Sequence, residues 1–330
     1  MLISKFGVHL QGGLGFNDVG RIIQTGVDCF TILSGELSLA REIKRQNPRA
    51  FIMLRDYDSN IMTQDPVGRV KGVAQWLTQM HNEGISDNIT IGNELNLALE
   101  HNWEWSQEYA DSKGAYARIN EWLTSAYSEL KRQCPWAILW FPAFATGHNE
   151  DGPDNDWWYG YDLCREAVNL CHGITVHAYW DMPEWLDDGI MRMWYSHRWA
   201  RPQGLKGPND PGGVHAIFPK HWLFLKECSS HPDSGNAIDF LKDLGRYPYV
   251  IGATLWLWDT PDPVHAAGRI KDKILEGLLR TAEKLEFELP DLTKPYLGEG
   301  GEQPMPEFEF THGFKDYADT HPNTGKATST

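Results

Sequence analysis

Two glutamates that close separate apolar runs, Glu94 and Glu227, are the residues of this 330-residue chain that point most directly to chemistry. Glu94 ends Asn88-Ile89-Thr90-Ile91-Gly92-Asn93-Glu94, in which three β-branched residues suit a buried strand and a poor helix. A carboxylate at the end of such a strand is costly unless it has partners or a task. Glu227 closes a second run, residues 221–226. Two carboxyl groups facing each other across a cleft can divide the cleavage of a glycosidic bond. One gives its proton to the leaving oxygen while the other attacks the anomeric carbon, and their neighbours must push the two pKa values apart. Other polar side chains stand at strand ends: His9, Arg55 with Asp56, Asn93, His177 with Tyr179, and Trp256 with Trp258 and Asp259. Asn93 is placed to bind a sugar 2-hydroxyl, Tyr179 to donate to the attacking carboxylate, and Arg55 to keep that carboxylate ionised by its charge. Trp140 and Trp180 join them as candidate sugar contacts, because indole faces stack on flat apolar ligand surfaces. His9 and His177 fit hydrogen-bonded pocket histidines better than metal ligands, since neither an HxH nor an HExxH spacing is present. No metal and no cofactor is expected.

These side chains meet only if their strands are staves of one barrel. The pattern predicts strands at 6–10, 27–33, 50–54, 88–94, 137–141, 173–178, 221–226 and 250–255. It predicts helices at 17–25, 36–46, 66–82, 105–133, 157–170, 183–199, 236–244 and 264–285. Strand then helix, eight times, within residues 1–287 predicts an α/β fold, a (β/α)₈ TIM barrel, near its typical ~250 residues. Uninterrupted apolar strands such as Ile138-Leu139-Trp140-Phe141 fit a parallel sheet covered on both faces. An open doubly wound sheet is the alternative, but no GxGxxG follows a strand, Gly12-Gly13-Leu14-Gly15 lacks that spacing, and a Walker lysine is absent. Residues 288–330 differ in kind, with an acidic stretch leading into Ser, Thr, Gly and Asn. They read as a linker or wrapping tail, an extended C-terminal appendage beyond which further modules could follow.

Composition narrows the partners. A net charge of −15 opposes binding to phosphate backbones and anionic membranes, so neither nucleic acid nor membrane is an expected partner. No apolar run approaches the ~20 residues that span a bilayer. The five cysteines lack CxxC spacing, which argues against a zinc site and a disulfide framework and for buried thiols. Met1-Leu2-Ile3-Ser4-Lys5 runs straight into a strand and predicts no signal peptide. The chain is then expected to act inside the cell, to be exported by a phage-type lysis route, or to be a domain cut from a longer chain that is secreted or acts at the cell wall. The 15 Trp fit a carbohydrate partner, although Trp is also an ordinary core residue.

The joint pattern of Asn93-Glu94 after an apolar strand, His177-Ala178-Tyr179 on the sixth strand, Glu227 closing the seventh and Trp256 after the eighth resembles the clan A glycoside hydrolases, especially the cellulase-like family 5. The resemblance implies a retaining enzyme on a (β/α)₈ barrel. It implies Glu94 as acid/base, Glu227 as nucleophile, Asn93, His177 and Tyr179 as supporting residues, and Trp256 as the sugar platform. Two departures are visible, the first being that the family's usual third-strand His is absent. The family's Arg closes the second strand, which here ends Thr31-Ile32-Leu33-Ser34, and Arg55 stands on the third. The function expected is therefore cleavage of β-glycosidic bonds in a polysaccharide or oligosaccharide by a two-glutamate double displacement, with carboxyl groups about 5 Å apart. A non-catalytic carbohydrate-binding barrel, a peptidoglycan-type glycosidase, and a metal-dependent hydrolase using His9, His177 and Asp259 are the alternatives. A glutamate turned into the wall, or tied up in a buried ion pair, would overturn the hydrolase reading.

Overall fold

The computed structural model describes residues 1–10, 16–110, 112–145, 159–178, 214, 218–228, 248–255 and 286–298. Eight parallel strands form a closed barrel in chain order: β2 (Phe6–Leu10), β3 (Cys29–Leu33), β4 (Phe51–Asp56), β5 (Asn88–Ile91), β6 (Ile138–Phe141), β7 (Gly173–Ala178), β8 (Trp222–Cys228) and β9 (Val250–Leu255), which pairs back onto β2. Every residue of β2, β4, β5, β8 and β9 is buried, as expected of parallel strands lined by side chains within and covered by helices without. The covering helices among the described residues are α1 (Phe16–Gln24), α2 (Leu37–Gln46), α3 (Pro66–Asn82), α4 (Gln107–Ala110), α5 (Lys113–Gln133), α6 (Tyr159–Leu163) and α7 (Arg165–Asn169). The fold is the (β/α)₈ barrel that the strand–helix alternation predicts.

Local chemistry sets the boundaries. Helix α3 begins after Asp65, whose carboxylate accepts from the Gly68 N–H, with Pro66 in the first turn. The helix expected at 105–133 is instead two helices. Ser112 starts α5 afresh, its hydroxyl accepting from the Ala115 N–H at 3.2 Å. The helix expected at 157–170 is also divided, at Cys164, which carries φ −98° and ψ 23°. The helices expected at 183–199, 236–244 and 264–285 fall outside the described residues. The five cysteines are all buried and free.

The barrel interior rises from an apolar floor to a polar mouth. The floor is Phe51, Trp140 and Phe224, their ring centroids 5.2 to 6.3 Å apart. Gly173 leaves room for the indole, since a Cβ there would lie 2.3 Å from the Trp140 ring. Trp140 is 0% exposed, and its Nε1 donates to Asn88 Oδ1 at 3.0 Å. The expected sugar contact is therefore a floor residue: close packing against Phe51 and Phe224 leaves it no face toward the mouth. One strand shows the climb. By the two-residue period, Phe51, Met53 and Arg55 share one face of β4, with Phe51 and Met53 in the floor cluster and Arg55 in the polar layer.

Below the floor, the short strand β1 (Leu2–Ser4) pairs antiparallel with β10 (Glu286–Glu288). Leu292 packs into the floor cluster and Tyr296 lies edge-on to Trp222. The compact unit runs Met1–Tyr296, and the boundary expected near 287 falls inside β10. Leu297–Thr330 form a second unit, of which residues 297–298 are described.

Candidate active site

Toward the carboxyl ends of the strands, the barrel buries a cluster of ionisable side chains that are each 5% exposed or less, among them His9 from β2, Arg55 from β4, His177 from β7, and Lys226 and Glu227 from β8. Charges so deep persist only when they are paired and hydrogen-bonded. Arg55 Nη1 donates to Glu227 Oε1, and His9 Nδ1 lies 3.4 Å from the same oxygen. The other oxygen of Glu227, Oε2, lies 3.7 Å from His177 Nε2. The opposite nitrogen of that ring, Nδ1, is 2.7 Å from Glu94 Oε1. One imidazole thus stands between the two carboxylates. Glu94, His177 and Glu227 each offer one atom, and these three atoms all lie within 4.8 Å of one another. Three such donors match a cation site in number. The Arg55 guanidinium on Glu227, however, already places a fixed positive charge there and opposes a metal ion.

Glu94 is presented by a strained turn. Strand β5 stops at Ile91. Gly92 then turns at φ 87°, its N–H donating to Asp56 O at 2.8 Å. Glu94 itself sits at φ 40°, in the left-handed region that non-glycine residues avoid at a cost of about 1–2 kcal/mol. Its N–H donates to Ala143 O at 2.9 Å, and two residues on Asn96 exchanges bonds with the Ala145 backbone. These contacts tie the turn to the end of β6. Its side chain is 16% exposed against 3% for Glu227, so Glu94 is the more accessible carboxylate.

The electrostatics separate the acidic groups. Burial opposes the ionisation of Glu227, but His177, Arg55, His9 and Lys226 outweigh it and hold its pKa well below the usual carboxylate range. Glu100 goes the other way. Burial, reinforced by Glu94, raises its pKa to about 7 against the pull of Arg55, Asn93 and Lys226. Burial, with Arg55 nearby, lowers Lys226 to about 7, although Glu227, Glu94 and Glu100 support its charge. Burial lowers His9 to about 3, with Glu227 resisting, so His9 is neutral at pH 7.

That last shift predicts acid sensitivity. The unfolded His9 ring titrates near 6.5 and the folded one near 3, so between those values the unfolded chain binds more protons and stability falls as the pH falls. From pH 7 to pH 4 the loss from His9 is about 3 kcal/mol. Glu100, with its folded pKa raised, offsets most of this, because its contribution grows by a similar amount as the pH falls, so the His9 effect is read from the variant rather than from the wild type alone. Urea unfolding at pH 7 and pH 4 is expected to show a smaller drop for His9→Gln than for the wild type. An equal drop would remove His9 from the account.

The structure thus brings together Glu94, Glu227, His9, Arg55, Asn93 and His177. Tyr179, Trp180 and Trp256 lie outside the described residues, and Trp140 is in the floor. Two buried ionisable groups at the site were not anticipated, Lys226 and Glu100. Lys226 Nζ donates to Asn93 Oδ1 at 3.1 Å, and Asn93 Nδ2 donates to Glu100 Oε1 at 3.2 Å.

The fold and its mouth define the class as a (β/α)₈ barrel with two facing carboxylates at the carboxyl ends of its strands. Among solved structures, the chain is similar to a glucosidase from Croceicoccus marinus, with a TM-score of 0.55 and 13% identity, over 84% of this chain and 67% of that one. It is also similar to a GH128 (subgroup II) endo-β-1,3-glucanase from Sorangium cellulosum, with a TM-score of 0.50 and 13% identity, over 84% and 98%. A calcium-binding mutant of Bacteroides uniformis β-glucuronidase 2 matches with a TM-score of 0.51 and 12% identity, over 76% and 30%. These likenesses establish the fold. No protein-family model matches the sequence, and a comparison with curated proteins found no match.

Proposed function

We propose that the chain is a retaining glycoside hydrolase acting on β-linked glycans. One observation carries this reading: the oxygens of Glu94 and Glu227 approach within 4.8 Å at the barrel mouth. So short an approach fits the ~5–5.5 Å carboxyl separation of retaining enzymes better than the ~6.5–9.5 Å that admits a water between the carboxyls. Glu227, kept ionised by Arg55, is the nucleophile: its carboxylate oxygen bonds to the anomeric carbon as the glycosidic C–O bond breaks. Glu94 gives its proton to the departing oxygen, then takes a proton from the water that releases the sugar from Glu227. The 2.7 Å contact to His177 orients the Glu94 carboxyl for both steps. Asn93 is the contact for the sugar 2-hydroxyl.

A second reading, a non-catalytic carbohydrate-binding barrel, draws on the 2% exposure of Glu227 and its buried ion pair with Arg55, the kind of pairing expected to overturn a hydrolase. Against it, Arg55 and His9 approach a single oxygen of Glu227, while Oε2 lies on the side of His177 and Glu94. The named activities of the structural neighbours set the substrate panel: β-1,3-glucan, aryl β-glucosides and β-glucuronides, with other β-glucans, mannan and peptidoglycan beside them. Turnover of one of these with the β-anomer as the first product, followed by proton NMR, is the expected result. An α-anomer formed first would overturn the retaining mechanism, and binding without turnover would favour the second reading.

A further inference from the structure

Strand β8 carries an irregularity that changes which side chains reach the barrel mouth. Its register with β7 runs Val176 to Leu225 and then His177 to Glu227, so Lys226 is an extra residue. The same slip appears on the other side, where Leu225 pairs with Ala253 and Cys228 with Leu255. In a regular strand, successive side chains point to opposite faces. A β-bulge breaks that alternation and re-aims a side chain, a device frequent beside active sites. Here it lets Lys226 and Glu227, neighbours in sequence, both bond within the polar cluster: Glu227 to Arg55, and Lys226 to Asn93. The bulged backbone is held in place. The Lys226 carbonyl accepts from the Thr254 hydroxyl and, at 3.4 Å, from the Thr31 hydroxyl, and the two hydroxyls lie 3.0 Å apart.

Lys226 is 0% exposed, although an ammonium is costly to bury. Its hydrogen-bond partner is Asn93 Oδ1, whereas the other end of that amide donates to Glu100. With Lys226 as an ammonium and Glu100 as a carboxylate, the two contacts settle the amide's orientation. A flipped Asn93 would set its NH₂ against an ammonium and its oxygen against a carboxyl oxygen, losing both bonds. One N–H of Asn93 is spent on Glu100, and the second is left to point elsewhere.

We infer that Lys226, placed by the bulge and opposed by Glu100, is a positioning residue that clamps the Asn93 amide so that its remaining N–H faces the sugar. This rests on the glycosidase reading given above. Lys226 acts through Asn93 and does not touch the reacting atoms. The role is separable from a structural one by its coupling to Asn93.

The test compares Lys226→Met, Asn93→Ala and the double variant on the best substrate of the panel. Each single variant is expected to lose about 100-fold in kcat, the scale of a misplaced contact near the reacting centre. The double variant is expected to lose no more than Asn93→Ala alone, because the clamp has nothing left to hold. Losses that multiply would make Lys226 a packing or charge residue and overturn the inference. A crystal structure of Lys226→Met decides the clamp without any assay. The Asn93 amide is expected to leave its position, and an amide unmoved against Glu100 would overturn the inference even in an active enzyme. If Lys226→Met does not fold, Glu100→Gln tests the opposite jaw with the same cycle and the same structural readout, at about a tenfold loss. Should the wild type cleave no glycoside, the functional reading fails, and the crystal structure still rules on the clamp.

Discussion

Glu227→Gln is expected to lower kcat/KM on the best β-glycoside by about 10⁴-fold or more, a rise of about 5.5 kcal/mol in the barrier. An amide keeps the shape of the side chain and can still accept from Arg55, but it is a poor nucleophile for an anomeric carbon. The folded state is expected to weaken as well. Arg55 is 5% exposed and Glu227 2%, so neutralising the carboxylate leaves a buried guanidinium with less compensation. Losing one partner of such a pair entirely costs about 3–5 kcal/mol, and the retained hydrogen bond keeps this variant below that range. Thermal unfolding and kinetics together make the test decisive. A structural ion pair predicts the fall in Tm and no specific loss of turnover, whereas a nucleophile predicts both. A substrate analogue with an activated leaving group, whose glycosyl-enzyme is hydrolysed slowly, adds a direct readout, because the wild type should then carry the glycosyl mass on the peptide that spans β8. Wild-type turnover in Glu227→Gln, or the label on another peptide, would overturn the assignment.

The barrel was legible because its signal is repeated. Short apolar runs such as Phe6–Leu10, Gly173–Ala178 and Val250–Leu255 carry their own boundaries, set by glycine, aromatic and polar neighbours. Helix breaks were less visible. Residues 105–133 keep an amphipathic pattern through Ser112, and only the cap, a contact between a hydroxyl and an N–H three residues on, shows where α5 begins. The three-residue pairing of β1 with β10 joins residues nearly three hundred positions apart and leaves no periodic trace.

The site was legible in its strand ends and illegible in its second layer. His9, Arg55, Asn93, Glu94, His177 and Glu227 each follow or close an apolar run, and the barrel brings such positions to one mouth. Trp140 shows the limit of residue type as a guide. An indole on a strand reads the same whether it faces the floor or the mouth, and only its height in the barrel decides. Lys226 was hidden by the two-residue period, which places it on the face opposite Glu227 until the bulge is seen. Glu100 lies beyond the strand, in the turn Ala98–His101, and nothing in its local sequence marks it as buried beside Asn93.

Glu94→Gln is expected to separate two kinds of substrate that the wild type treats alike. On a glycan, the leaving group is a sugar alkoxide and must receive a proton, so the variant should lose about 10²–10⁴-fold, the usual worth of general acid catalysis. On an aryl β-glycoside with a strongly acidic phenol, the leaving group departs without that proton, and attack by Glu227 proceeds at nearly the wild-type rate. The second half of the reaction still needs Glu94, now as the base that deprotonates water. Such a substrate should therefore show a burst of phenol followed by a slow steady state, as the glycosyl-enzyme accumulates. A small anion such as azide, which attacks without losing a proton, should restore the steady-state rate and leave a β-glycosyl azide. This pattern distinguishes Glu94 from Glu227, whose loss should silence both substrates. It also accounts for the backbone: a residue held at φ 40° in a turn fastened to Ala143 places its carboxyl against His177 by strain rather than by strand geometry. Equal losses on the two substrates, or no burst on the activated one, would show that Glu94 does not carry the proton. The 2.7 Å contact to His177 would then be a brace between two walls of the barrel.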